Sequence, residues 1–243
     1  MKIVRLGNLE IGKAPILVAT VLADTASGML QGVSQALAAG ADCVELRVDR
    51  LKDMSEVANT IYQVKMPHIV ACRAPRFGGS FEGTEKERIA RLIAAVEAGA
   101  MGVDIEFFTE PHLRARVIDS ARSHGIPVLV GYENMQETPP RDELIRGLHA
   151  VAKLKPDLIK LAVRARSYQD LLVILGVVLE ARMLLDVPFA VIALGPYGAP
   201  SRPLACILGA SFTYCAIANS SVPGQLTVKE TREILKILSK NWS

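Results

Sequence analysis

Short apolar runs alternate along the chain with longer stretches whose apolar residues recur at helical spacing. Eight runs read as strands: residues 16–20, 43–48, 69–73, 102–107, 128–133, 158–163, 189–194 and 211–215. Between them, 27–39, 55–63, 85–97, 111–124, 141–153, 168–185 and 202–208 read as helices, and 228–238 as a last helix closing the ring. Strand–helix alternation at this spacing predicts parallel strands joined by crossover helices. Eight such units in 243 residues predict an α/β protein of the (β/α)8 TIM-barrel type, one domain spanning 1–243. An open doubly wound sheet fits less well, because no GxGxxG follows the first strand. Gly40, Gly99 and Gly125 each stand between a helix end and the next strand, as helix-terminating glycines do.

The informative residues lie inside the strands, where alternate side chains face opposite ways. In 158–163, Ile159, Leu161 and Val163 share the face that packs on helices, and Leu158, Lys160 and Ala162 face the barrel interior. By the same alternation Glu45 and Arg47 share a face with Cys43. Asp104 and Glu106 alternate with Val103 and Ile105. Arg73 and Glu133 end their strands. One interior thus collects Glu45, Arg47, Arg73, Asp104, Glu106, Glu133 and Lys160, most of them near strand C-termini, where barrel active sites are built. Burying so many charges is a poor way to gain stability, since desolvation can exceed the Coulombic gain, so the set points to chemistry.

Lys160 is the sharpest member. Burial disfavours an ammonium, so a lowered pKa is expected, and a neutral amine attacks carbonyls to form imines. Two loops add to the case. Residues 195–202 follow the seventh strand and end on Arg202, which can clamp a carboxylate. Residues 219–225 follow the eighth and carry the small and polar residues of a lid. The expected ligand is a small, hydroxylated carboxylic acid with a carbonyl.

Composition narrows the rest. Half the residues are hydrophobic, 22% are charged and 5% aromatic, so the core is built from Ala, Val, Ile and Leu, as in parallel sheets covered by helices. The net charge of +3 is scattered with no basic run, so no nucleic-acid partner is expected. Residues 1–10 are mixed in character, unlike a signal peptide, and no apolar run reaches the length of a membrane span. A cytoplasmic protein without a membrane partner is expected. The four cysteines show no CxxC spacing and read as buried free thiols.

Over nearly its full length the chain resembles type I 3-dehydroquinate dehydratase. The matching segments are Glu45-Leu46-Arg47-Val48-Asp49, Val103-Asp104-Ile105-Glu106, Leu158-Ile159-Lys160-Leu161-Ala162-Val163, the run from Gly198 to Arg202, and Ser221-Val222-Pro223-Gly224-Gln225. The resemblance implies a (β/α)8 fold, no metal or cofactor, a homodimer, and conversion of 3-dehydroquinate to 3-dehydroshikimate in aromatic amino-acid biosynthesis. It implies Lys160 as the Schiff-base residue. Glu45, Arg47 and Arg73 fall on substrate-contacting positions. Arg202 would hold the carboxylate, Ser221 and Gln225 would close over it, and Tyr214 would lie beside the substrate. Ile192 and Leu194 stand where methionines often line the pocket.

Two positions depart from the family pattern. The fifth strand normally ends Ser-Tyr-His, with the histidine as general acid/base; here Gly131-Tyr132-Glu133 puts Glu133 in its place. The glutamate that partners that histidine is Phe77 here. Of the four histidines, His112 alone is expected near the catalytic end, as a surface residue. Three readings follow: a 3-dehydroquinate dehydratase using Glu133, an imine-forming lyase or aldolase acting on another small keto acid, and a homologue that binds a small carboxylic acid without turnover.

Overall fold

The computed structural model describes residues 1–218 and 224–239. After an antiparallel hairpin of β1 (Val4–Leu6) and β2 (Leu9–Ile11), eight parallel strands follow: β3 (Ile16–Leu22), β4 (Cys43–Arg47), β5 (His68–Ala71), β6 (Val103–Glu106), β7 (Val128–Asn134), β8 (Leu158–Arg164), β9 (Phe189–Leu194) and β10 (Phe212–Cys215). They pair in chain order, with β10 beside β3. The backbone N–H of Ser211 donates to Phe189 O (2.7 Å) and draws β9 towards β10, so the sheet curls into a (β/α)8 barrel. Helices α1 (Ala26–Ala38), α2 (Met54–Gln63), α3 (Glu85–Glu97), α4 (Pro111–Ser123), α5 (Arg141–Ala152), α6 (Tyr168–Leu184), α7 (Ser201–Leu208) and α8 (Val228–Ser239) form the outer layer.

Local chemistry explains where these helices start. Thr25, Asp53, Thr84 and Ser167 cap α1, α2, α3 and α6 by accepting from backbone N–H groups of the first turn, and Thr84 forms a reciprocal capping box with Glu87. Period-two alternation sorts the strands into two cores. Ile159, Leu161 and Val163 join the large apolar layer between sheet and helices, whereas Leu158 and Ala162 face inward.

Most boundaries fall within two residues of the expected ones, with two corrections. β5 stops at Ala71, and Arg73 lies just beyond it, where its carbonyl accepts from Phe81 N (3.1 Å) as the chain turns back. The hairpin had not been expected at all. Its strands have only three residues each, too short to stand out, yet Val4, Leu6 and Ile11 are buried against Ile16, Cys43, Leu129, Leu158 and Phe212. They close the N-terminal end of the barrel, which leaves the C-terminal end for the site.

Candidate active site

The interior charges expected from strand alternation come together around Arg73. Its Nη2 donates to Glu45 Oε2 (3.1 Å) and to Asp104 Oδ2, and its Nη1 donates to Glu133 Oε1. Lys160, on β8, donates from Nζ to Asp104 Oδ2 (2.6 Å) and pairs with Glu133 Oε1 (2.9 Å). Glu106 lies one layer out, 3.6 Å from Arg73 Nη1 and 2.7 Å from Arg88 Nη1. All these side chains are buried.

Strand register makes room for the lysine. Gly131 pairs with Lys160 across β7 and β8, and a Cβ there would stand 3.1 Å from both Lys160 Cε and Glu133 Oε1. A glycine at that point lets the amine and the carboxylate meet over the strand.

Arg88 is a residue the sequence reading missed. It sits on α3, four residues before buried Leu92, so its position on the apolar face was the available signal. Its guanidinium bonds Glu106, Cys72 O (2.6 Å), Thr109 Oγ1 (2.8 Å) and Glu85 (2.8 Å). Three buried cations, Arg73, Arg88 and Lys160, therefore face four buried carboxylates, Glu45, Asp104, Glu106 and Glu133. With one carboxylate in excess, Glu106 carries the imbalance. Burial, partly opposed by Arg73 and Arg88, pushes it up to about 7. Glu45 goes the other way: burial raises it, but Arg73, Lys160 and Arg47 together hold it below the ordinary range.

The expected depression of Lys160 is corrected by its surroundings. Burial and Arg73 do push its pKa down, but Asp104, Glu133 and Glu45 outweigh them and raise it above the ordinary lysine value. The resting side chain is an ammonium in a cage of carboxylates. It is not sealed in: a cavity of about 530 Å³ opens beside it, lined also by Glu45, Arg73, Glu133, Arg202, Tyr214 and Gln225.

The other candidates distribute as follows. Arg47 lines the cavity but is held away from the Arg73 cluster by a bidentate pair with Asp49 (2.8 Å for both bonds). Phe77, Ile192 and Leu194 supply apolar wall. Arg202 is buried at the cavity wall and donates to Tyr214 O (3.2 Å); among the described residues it forms no ion pair and its Nε has no hydrogen-bond partner. Burial pushes its guanidinium down to about 10, still protonated at neutrality. The Tyr214 hydroxyl likewise has no partner among the described residues, and burial with Glu45 and Asp104 nearby pushes it well above its ordinary value. Ser221 lies outside the described residues. His112 is exposed beside Glu110 and does not line the cavity. The four cysteines are buried free thiols. Among the described residues, no group of His, Cys, Asp or Glu side chains is arranged to hold a metal ion, and no helix is long and apolar enough to cross a membrane.

A (β/α)8 barrel with a buried amine, ringing carboxylates and an arginine that has no acidic partner among the described residues, at the C-terminal ends of its strands, defines a barrel-enzyme site for a small anionic ligand. Comparison with known proteins narrows the class: the chain belongs to the type I 3-dehydroquinase family, whose model matches residues 17–241. It is 33% identical to a 3-dehydroquinate dehydratase of Methanosarcina barkeri over 97% of this chain and 99% of that protein. It is 33% identical to another from Methanothermobacter thermautotrophicus over 88% and 93%. Among solved structures, the 3-dehydroquinate dehydratase of Geobacillus kaustophilus superposes with a TM-score of 0.93 at 25% identity, covering 100% of this chain and 98% of that one.

Proposed function

We propose that this chain is a hydro-lyase that removes water from 3-dehydroquinate to give 3-dehydroshikimate, through an imine on Lys160 with Glu133 as base and acid. The observation that supports it most is the split role of the Glu133 carboxylate. Oε1 is anchored by Arg73 and Lys160, while Oε2 is buried, has no partner among the described residues, and belongs to a side chain on the cavity wall beside the amine.

Each step has a group to serve it. Lys160 first passes a proton to a neighbouring carboxylate, and the free amine adds to the substrate carbonyl. The carbinolamine expels its oxygen as water, leaving a protonated imine. Oε2 of Glu133 takes the proton from the adjacent carbon, and the electron pair moves into the enamine. The pair returns to expel the hydroxyl one carbon further on, and the proton held by Glu133 leaves with it as water. Hydrolysis of the imine frees the product and Lys160. The net change is the loss of one water. Arg202, a desolvated cation with no acidic partner among the described residues, suits the substrate carboxylate.

Intact-mass measurement after borohydride treatment in the presence of 3-dehydroquinate is the test. The wild type is expected to gain one reduced adduct and Lys160→Ala none; an unmodified wild type would remove this reading. Glu133→Gln is expected to keep the adduct while kcat falls by about 10²–10⁴-fold, the usual worth of a general acid/base. Unchanged turnover in Glu133→Gln would assign the proton transfer elsewhere.

A further inference from the structure

One buried polar group at the site has no work in the steps above, the hydroxyl of Tyr214. Tyr214 lies on β10, is 6% exposed and lines the cavity. Its ring packs edge-on against Phe212, with centroids 6.1 Å apart, and its hydroxyl has no hydrogen-bond partner among the described residues. A buried hydroxyl left unsatisfied costs stability, and a plain phenyl ring would fill nearly the same space. The cavity beside it supplies the missing acceptor when a ligand enters.

Position narrows which acceptor that is. The ring stands 5.4 Å from Lys160 Nζ, and the backbone O of the same residue accepts from Arg202 Nη1 (3.2 Å). Tyr214 thus borders both the amine that takes the substrate carbonyl and the cation that suits its carboxylate. In 3-dehydroquinate the departing hydroxyl shares a carbon with the carboxylate, two bonds from the carbonyl carbon, so its oxygen lies between these two anchors. Glu133 reaches the substrate from β7, three strands along the ring from β10. It brings the proton; a donor on another side can meet the charge that builds on the oxygen as the C–O bond breaks. Burial, with Glu45 and Asp104 nearby, holds the phenol well above its ordinary pKa, so it remains an O–H donor throughout.

We propose that Tyr214 is a further catalytic residue, whose hydroxyl donates a hydrogen bond to the oxygen that leaves the substrate. This rests on the imine reading above. The enamine pair forms the new C=C bond, the C–O pair goes to the departing oxygen, and the proton held by Glu133 completes the water. The phenolic proton stays on Tyr214, and its hydrogen bond strengthens as the oxygen gains charge. A contact that tightens only in the transition state raises kcat rather than binding.

Tyr214→Phe tests this, because it deletes the oxygen and keeps the ring. Thr213→Val is the control: it deletes another buried hydroxyl that has no partner among the described residues, on the opposite face of the same strand. The readout is intact mass after rapid borohydride quenching with 3-dehydroquinate. Tyr214→Phe is expected to form its adduct as fast as the wild type but to accumulate it with the hydroxyl still in place, heavier by one water than the dehydrated adduct of the wild type and of Thr213→Val. Its kcat is expected to fall about 10²-fold, the usual worth of one such donor. KM should stay within about threefold, and Tm should not fall. A dehydrated adduct formed by Tyr214→Phe at the wild-type rate would overturn the proposal. So would adduct formation slowed as much as kcat, the mark of a damaged site, or the same retained hydroxyl in Thr213→Val. Absence of any adduct in the wild type would remove the imine reading itself, and the role of Tyr214 with it.

Discussion

At the scale of single residues, the site is governed by the surplus carboxylate. A carboxyl whose folded pKa lies above its unfolded value makes the native state bind the extra proton. For Glu106, raised from an ordinary 4.5 to about 7, that contribution is fully present below about 4.5 and is lost as pH rises through about 7. Urea unfolding of the wild type should therefore show stability falling between those values, and Glu106→Gln should remove most of the slope. Arg88→Met is expected to act with the opposite pH bias. At pH 8 it leaves the Glu106 carboxylate without its hydrogen-bonded partner and should cost about 3–5 kcal/mol, whereas at pH 5 the neutral acid needs that partner less. Equal losses at both pH values would show that Arg88 matters only through its bonds to Cys72 O and Thr109. The raised Lys160 has its own signature: imine trapping should quicken with rising pH and keep rising past the ordinary lysine value, because the amine is released only as the ammonium titrates.

At the scale of elements, strands deliver the chemistry and loops trim it. Arg202 enters from the first turn of α7, which is reached through the tight turn at Pro196–Gly198. Gly198 packs on the end of β9 so closely that a Cβ would lie 2.2 Å from Ala193 O. Gly198→Ala should therefore push this loop and Arg202 outward, raising KM by tenfold or more while kcat changes less, the split expected when a binding contact is lost and the reacting groups stay put. An unchanged KM would place the carboxylate clamp elsewhere. Much of this level was legible beforehand: alternation put Glu45, Asp104, Glu133 and Lys160 on inner faces, and the barrel bears that out. Alternation puts Arg47 on the same inner face as Glu45, and it lines the cavity, but its partner Asp49 belongs to a short turn whose direction no strand period foretells.

At the scale of the whole molecule, the two ends of the barrel have separate work. The hairpin β1–β2 seals the N-terminal end, and Leu6 is fully buried against Gly102 and its neighbours. Leu6→Ala should lower stability by about 2–5 kcal/mol, the usual cost of emptying a core leucine site, while KM stays within twofold. A large KM change would mean that the two ends are coupled through the strands. By itself the sequence determined the eightfold strand–helix alternation, the inner and outer faces of each strand, and the lysine-bearing interior, because backbone periodicity and hydrophobic burial are properties of a segment and its own residues. Only the tertiary structure decided which charges meet, that Lys160 rests as an ammonium, that Arg88 reaches Glu106 from a neighbouring helix, and that the first eleven residues plug the ring. Each of these depends on distances between segments far apart in the chain and on the low dielectric they create together, and no local period carries that information.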